Sequence, residues 1–208
     1  MSIEVYSDFV CPWCYIGHRR LQNALAALPR GAGKAIIWRS YQLDRDASKV
    51  PGPTAAQAMR GWYPDTDEAE ARIARIIATG RDEGLDLHLH RALPVNTYDA
   101  HRLSHFANNA GLADAMRERL FRAYHTEGLN IADADVLLQL AVEVGFDRID
   151  IRRVLETDGF GGTVRTDIDR GSRQGVSGVP YIVVDDGQPV SVLQQGLPLA
   201  SILERAVQ

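Results

Sequence analysis

The sequence predicts an α/β fold interrupted by an all-helical insertion domain. Three observations carry that reading: the chain opens as strand, helix and strand, it closes as helix, hairpin and helix, and a series of amphipathic helices runs between. The implied boundaries are 1–43 for the first half of the α/β domain, 44–158 for the insertion and 159–208 for the second half.

The run Ile3 to Val10 reads as the first strand and leads directly into Cys11-Pro12-Trp13-Cys14. Pro12 suits the first helical position, because it has no N–H to leave unpaired and its φ is already helical. The helix it opens carries Ile16, Leu21, Leu25 and Leu28 at helical spacing and stops at Pro29, ahead of Gly31 and Gly33. Ala35 to Tyr41, β-branched and aromatic, is a second strand, so the opening forms a βαβ unit with a parallel pair. From Leu43 the chain turns polar and proline-bearing as far as Pro53, then becomes helical. Asp65 to Gly84 places Ile73, Ile76 and Ile77 on one face, with acids early and Arg81 late as the helix dipole prefers. Asn96-Thr97 offers a cap for a helix carrying Leu103, Phe106, Ala107 and Ala110, which Gly111 ends. Leu112 to Glu127 repeats the pattern with Met116, Leu120 and Tyr124, Asp133 to Gly145 does so with Leu137 and Leu140, and Ile151 to Leu155 is a short further helix. Thr163 to Arg173 reads as a helix. Tyr181–Val184 and Val190–Leu193 form a hairpin turned at Asp185-Asp186-Gly187, and Pro198 to Val207 is a closing helix.

The chain's only two cysteines share one C-P-W-C motif. A strand feeding into a helix puts Cys11 at the N-cap, where unpaired N–H groups and the macrodipole favour a thiolate. Cys11 then reads as the exposed nucleophile, and Cys14 as the thiol that resolves a mixed disulfide on Cys11. Two cysteines cannot close a four-ligand zinc site, and no histidine pair near the motif supplies the missing ligands, so no metal is expected. Inert buried cysteines are the plain alternative.

Other residues are placed around this centre. Trp13 and Tyr15 form an apolar platform beside the sulfur, and Trp62 and Tyr63 line the cleft from the insertion or anchor it. Asp8 can move a proton for Cys14 or simply begin a turn. His18 shares the helix with Cys14 and either tunes the thiols or lies on the surface, the latter being favoured. His101 and His105 have the spacing of a two-histidine metal site, but Arg102 stands where a zincin has Glu, so polar packing is the preferred reading.

The order of elements, with C-x-x-C at the first strand–helix junction and Val179-Pro180 leading into a later strand, resembles the thioredoxin-like fold, and the insertion resembles the DsbA family. Asp8 to Gly17, Asn96-Thr97, Ala100 to Leu103 and Gly178-Val179-Pro180 are similar to motifs of its FrnE-like cytoplasmic branch. That resemblance implies a cis bond before Pro180, packing of Pro180 on the active-site sulfurs, and backbone groups of Val179 offered to the substrate. It implies a protein disulfide or low-molecular-weight thiol such as glutathione as partner, with no cofactor beyond the redox-active disulfide. The family commonly reads Ser-Gly-Ala-Gln-Pro after the hairpin, where this chain has Gln194-Gln195-Gly196-Leu197-Pro198.

With 208 residues, a net charge of −4 and no basic run, neither nucleic acid nor an anionic membrane is the expected partner. No signal peptide or membrane span is legible, and a C-x-x-C pair without other cysteines reads as catalytic in the cytoplasm. The expectation is a cytoplasmic thiol-disulfide oxidoreductase. Trp13 brings no charge to the thiolate, which predicts a reductase or isomerase bias. Two readings stand beside it: a glutathione-dependent isomerase or transferase of the 2-hydroxychromene-2-carboxylate isomerase or kappa-class type, and a non-enzymatic redox sensor or chaperone.

Overall fold

A computed structural model describes residues 3–27, 36–185, 187, 190 and 191 of the chain. β1 (Ile3–Ser7) and β2 (Ile36–Ser40) are linked by α1 (Pro12–Ala27) and pair in parallel, Ile3 opposite Ile36 and Ser7 opposite Ser40. β3 (Tyr181–Val184) pairs antiparallel with the other edge of β1, and β4 (Val190–Ser191) pairs antiparallel with β3, giving the order β2-β1-β3-β4. The hairpin turns where the Asp-Gly signal put it: the Gly187 N–H donates to the Val184 carbonyl at 2.9 Å, and Asp185 has a φ of 48°.

β1 is the central strand, and all five of its residues are buried. Alternation divides them between two faces. Ile3 and Val5 pack with Leu21 of α1 and Ile182 of β3, whereas Tyr6 packs with Val176 and Val183. Glu4 is buried too. Burial alone would raise its pKa, but hydrogen bonds from Arg39 and Arg170 prevail and hold its carboxyl below the usual range. The strand stops at Ser7, three residues short of the run read from the sequence, because the Cys11 N–H donates to the Asp8 carbonyl (3.2 Å) and closes a turn.

Between β2 and β3 come α2 (Ala55–Trp62), α3 (Thr66–Asp82), α4 (Tyr98–Asn109), α5 (Ala113–Arg122), a π-helical turn (Ala123–Glu127), α6 (Ala134–Val144), α7 (Arg148–Glu156) and α8 (Gly161–Arg173). Each helix predicted in this region is present, and α2 is an addition that periodicity did not single out. Its start is a capping box in which Thr54 and Gln57 satisfy each other's backbone N–H. The cap of α4 is Asn96 alone: its Oδ1 accepts the Tyr98 N–H at 2.9 Å, while the Thr97 side chain makes no capping bond. The predicted stop at Pro29, the strand residues Ala35, Val192 and Leu193, the loop Gln194–Pro198 and the closing helix Pro198–Val207 lie outside the described residues.

One hydrophobic cluster joins Phe9, Cys11, Cys14 and Ile16 to Met116, Phe121, Leu137 and Ile151, so the insertion packs directly on the C-P-W-C turn. α8 lies against the sheet so closely that a Cβ on Gly171 would stand 2.8 Å from Tyr6 Cε1. Tyr6 is fully buried and its hydroxyl donates to Gln174, so the ring has no room to retreat. Gly171→Ala should therefore cost about 1–3 kcal/mol of stability in a urea titration. An unchanged midpoint would show that α8 can move off the sheet.

Candidate active site

Pro12 occupies the first position of α1, and the Cys11 carbonyl accepts from the N–H groups of Cys14 (3.0 Å) and Tyr15 (3.4 Å), which makes Cys11 the N-cap. Both cysteines are free thiols. The Val179–Pro180 bond is cis, and the Cys11 thiol donates to the Val179 carbonyl at 3.7 Å. Pro180 and Cys14 both border a void of about 10 Å³, together with Ser7 and His18. The loop before β3 thus reaches the Cys11 sulfur through Val179, and its Pro180 faces the same small void as Cys14.

The two thiols differ in surroundings. Cys14 is 2% exposed and its sulfur accepts the Asp8 N–H at 3.5 Å. Burial, and then the neighbouring Cys11, push the Cys14 thiol well above its ordinary pKa, against the smaller pull of hydrogen bonds from Asp8 and Ser7. Cys11 is 5% exposed, which corrects the expectation of an exposed nucleophile. It lies on the wall of a cavity of about 470 Å³ whose sides come from Trp13, Val179, the insertion and the loop after β2. A partner must enter this cavity to reach the sulfur.

Trp13, Trp62 and Tyr63 all border the cavity; Trp62 is 70% exposed, and Tyr63 lies under the Arg72 guanidinium at 4.7 Å. Tyr15 does not border it. Its ring is buried and stacked on Phe121 (centroids 5.0 Å apart, 5° between planes), and its hydroxyl donates to Glu118. Tyr15 therefore anchors α1 to α5 and provides no platform for a substrate, because its helical position turns it away from Cys11 and into the insertion.

His18 is also corrected: at 1% exposure it is a core residue, set edge-on to Trp38 at 5.0 Å. Burial, and then the Arg117 charge, push its pKa down to about 3. Glu118 Oε2 stands 3.8 Å from His18 Nε2, beyond hydrogen-bond range, and Glu118 Oε1 is engaged by Arg19 and Tyr15, so desolvation outweighs that attraction. Asp8 begins a turn, and it also ties the motif to its neighbours: Oδ2 accepts the Leu43 N–H at 2.8 Å and Oδ1 lies 3.3 Å from His101 Nε2. His105 bonds instead to Asp167 (3.0 Å) and Ser40 (2.9 Å). The i, i+4 histidines share a buried face but bind separate carboxylates, and no cluster able to hold a metal occurs among the described residues.

Among the cavity residues not read as site residues from the sequence are Tyr124 and His125, which lie against Cys11. Both are buried, on the π turn (Ala123–Glu127) that continues α5. Burial pushes the Tyr124 phenol upward, with the nearby Asp8 and Cys11 adding to the effect. Burial pushes His125 down to about 3, against hydrogen bonds to the backbone carbonyls of Phe9 and Cys11, and its Nε2 has no partner. The ring is neutral and braces the turn that carries Cys11.

Residues 2–199 match the DSBA-like thioredoxin domain family. The chain belongs to that family. The fold is accordingly thioredoxin-like with a helical insertion, and the protein is a DsbA-like oxidoreductase with its CXXC pair at Cys11 and Cys14. The crystal structure of a probable DsbA oxidoreductase from Streptomyces coelicolor is 30% identical, with 99% of this chain and 89% of that chain covered and a TM-score of 0.90. The cytosolic disulfide reductase DsbM from Pseudomonas aeruginosa, solved with GSH, shares the fold at 18% identity, with 100% and 99% covered and a TM-score of 0.70. A 2-hydroxychromene-2-carboxylate isomerase shares it equally, at 17% identity, 99% and 96% covered and a TM-score of 0.72. Fold alone therefore does not separate reductase from isomerase. No helix among the described residues is long and apolar enough to cross a membrane.

Proposed function

We propose that this DsbA-like oxidoreductase is a cytoplasmic, FrnE-like enzyme that works mainly as a disulfide reductase or isomerase. The observation that carries the reading is the pairing of a cavity-facing Cys11 with a buried Cys14 one helical turn away, opposite the Val179 carbonyl and cis-Pro180. The Cys11 thiolate attacks one sulfur of a substrate disulfide, whose S–S bond breaks and releases the first thiol. Cys14 then loses its proton and attacks Cys11, which forms the Cys11–Cys14 disulfide and releases the second thiol. Two electrons pass from the dithiol to the substrate, and a thiol reductant restores the protein.

Val179 presents its carbonyl beside Cys11, where an extended partner segment can pair with it. The cytoplasmic placement is supported by cysteine usage, since both cysteines belong to the redox motif and none is left for a structural staple.

Reduced protein mixed with bis(2-hydroxyethyl) disulfide should convert to the Cys11–Cys14 disulfide with release of two thiols, and Cys11→Ala should be inert. Glutathione conjugation or isomerisation that survives Cys11→Ala would instead support the glutathione-dependent alternative.

A further inference from the structure

We propose that the cavity beside Cys11 takes one arm of a small disulfide whose body is apolar or aromatic and whose end is a carboxylate, and that Arg75 binds this carboxylate. The inference rests on the oxidoreductase reading above and names its substrate class. The volume, about 470 Å³, is that of a small-molecule site. Val10, Trp13, Met59, Ile76 and Val95 supply apolar wall, and the exposed indole of Trp62 stands beside them. Burial against such a wall gives affinity without direction. Orientation has to come from a charged or polar group.

Four side chains that carry charge border the cavity: Asp8, Asp44, Arg72 and Arg75. Asp8 is 1% exposed and engaged by the Leu43 N–H and His101. Asp44 is exposed and accepts the Asp46 N–H on Oδ1. Arg72 donates through Nε and Nη2 to Glu68 and covers the Tyr63 ring. Arg75 has no carboxylate partner among the described residues, yet it lies three residues along α3 from Arg72 and borders the same cavity. The neutral His125 adds no charge. Among the described residues, an incoming anion therefore meets one guanidinium that no carboxylate already neutralises, with the geometry to hold a carboxylate through two N–H groups.

The chemistry balances without a further reactant. The Cys11 thiolate displaces one arm as its thiol, Cys14 displaces the other, and dithiol plus disulfide become protein disulfide plus two thiols.

The test is the second-order rate at which four disulfides oxidise the reduced protein: bis(2-hydroxyethyl) disulfide (neutral), 3,3′-dithiodipropionate (anionic), cystamine (cationic) and 5,5′-dithiobis(2-nitrobenzoate) (anionic and aromatic). Each is read as the ratio of wild type to variant, which cancels intrinsic reactivity. Arg75→Gln should lower both anionic rates about tenfold more than the neutral rate, a size in keeping with a charge-assisted hydrogen bond. Arg75→Lys should recover part of that loss, and Trp62→Ala should slow the aromatic compound more than the hydroxyethyl one. Equal losses across all four compounds, or none, would overturn the subsite. So would a preference for cystamine that disappears in Asp44→Asn. Failure of the neutral disulfide to oxidise wild-type protein would overturn the oxidoreductase reading together with the subsite, a result distinct from lost charge selectivity.

Discussion

Replacing Cys14 by Ser should stop the protein halfway through its reaction. The first attack needs only Cys11, which borders the cavity, so a disulfide substrate still exchanges onto it. Release needs a second thiolate within reach, and no other cysteine exists in the chain to supply one. Steady-state disulfide turnover should fall on the order of 10³-fold, and the variant should accumulate as a mixed disulfide visible by intact mass. The high pKa of buried Cys14 bears on the wild type as well, since resolution requires its thiolate. Turnover should rise with pH through the alkaline range wherever resolution limits the rate, and this rise should vanish from the single first exchange of Cys14→Ser. A Cys14→Ser protein that turns over at the wild-type rate would remove the resolving role.

Mild acid should destabilise the fold well before the carboxylates titrate. His18 and His125 are neutral in the folded protein because burial pushes each down to about 3, whereas an imidazole in the unfolded chain titrates near 6.5. The unfolded state therefore binds more protons as the pH falls below 6.5, and stability drops with it. The contribution is complete above pH 6.5 and is lost progressively down to about pH 3. Each ring should cost about 2 kcal/mol at pH 5, so the pair removes about 4 kcal/mol from a total that for ordinary domains is about 5–15 kcal/mol. Urea midpoints measured from pH 7 to pH 5 should show this slope. His125→Phe should remove about half of it, from a lower midpoint at pH 7, because Phe cannot donate to the Phe9 and Cys11 carbonyls. A pH slope unaltered by His125→Phe would mean that the ring is solvated.

What the sequence made legible follows range of interaction. Pro12 at the first helical position, the Cys11 N-cap and the Asp-Gly hairpin are local, and each appears where turn and cap chemistry places it. The helices of the insertion other than α2 were likewise readable from spacing. Residues whose surroundings come from distant segments were not. His18 lies under Trp38 of β2 and near Phe121 of α5, and Tyr15 stacks on that same phenylalanine, so both are drawn into the core by partners far along the chain. Cys11 is enclosed for the same reason, since its cavity is assembled from Trp13, the insertion and Val179. His101 and His105 were rightly paired on one face, but their partners, Asp8 and Asp167, depend on how α4 meets the sheet and α8. Tyr124 and His125 join the cavity wall through packing against the distant C-P-W-C turn, which spacing along their own helix does not reveal.

The measurement that tests the central claim most directly is intact-mass thiol trapping of the purified protein across a series of glutathione redox buffers, with Cys11→Ser and Cys14→Ser variants alongside. The account predicts a reversible loss of two hydrogens in the wild type, set by the buffer poise, and a glutathione adduct that persists on Cys11 when Cys14 is Ser. If no Cys11–Cys14 disulfide forms at any poise, the dithiol mechanism is contradicted.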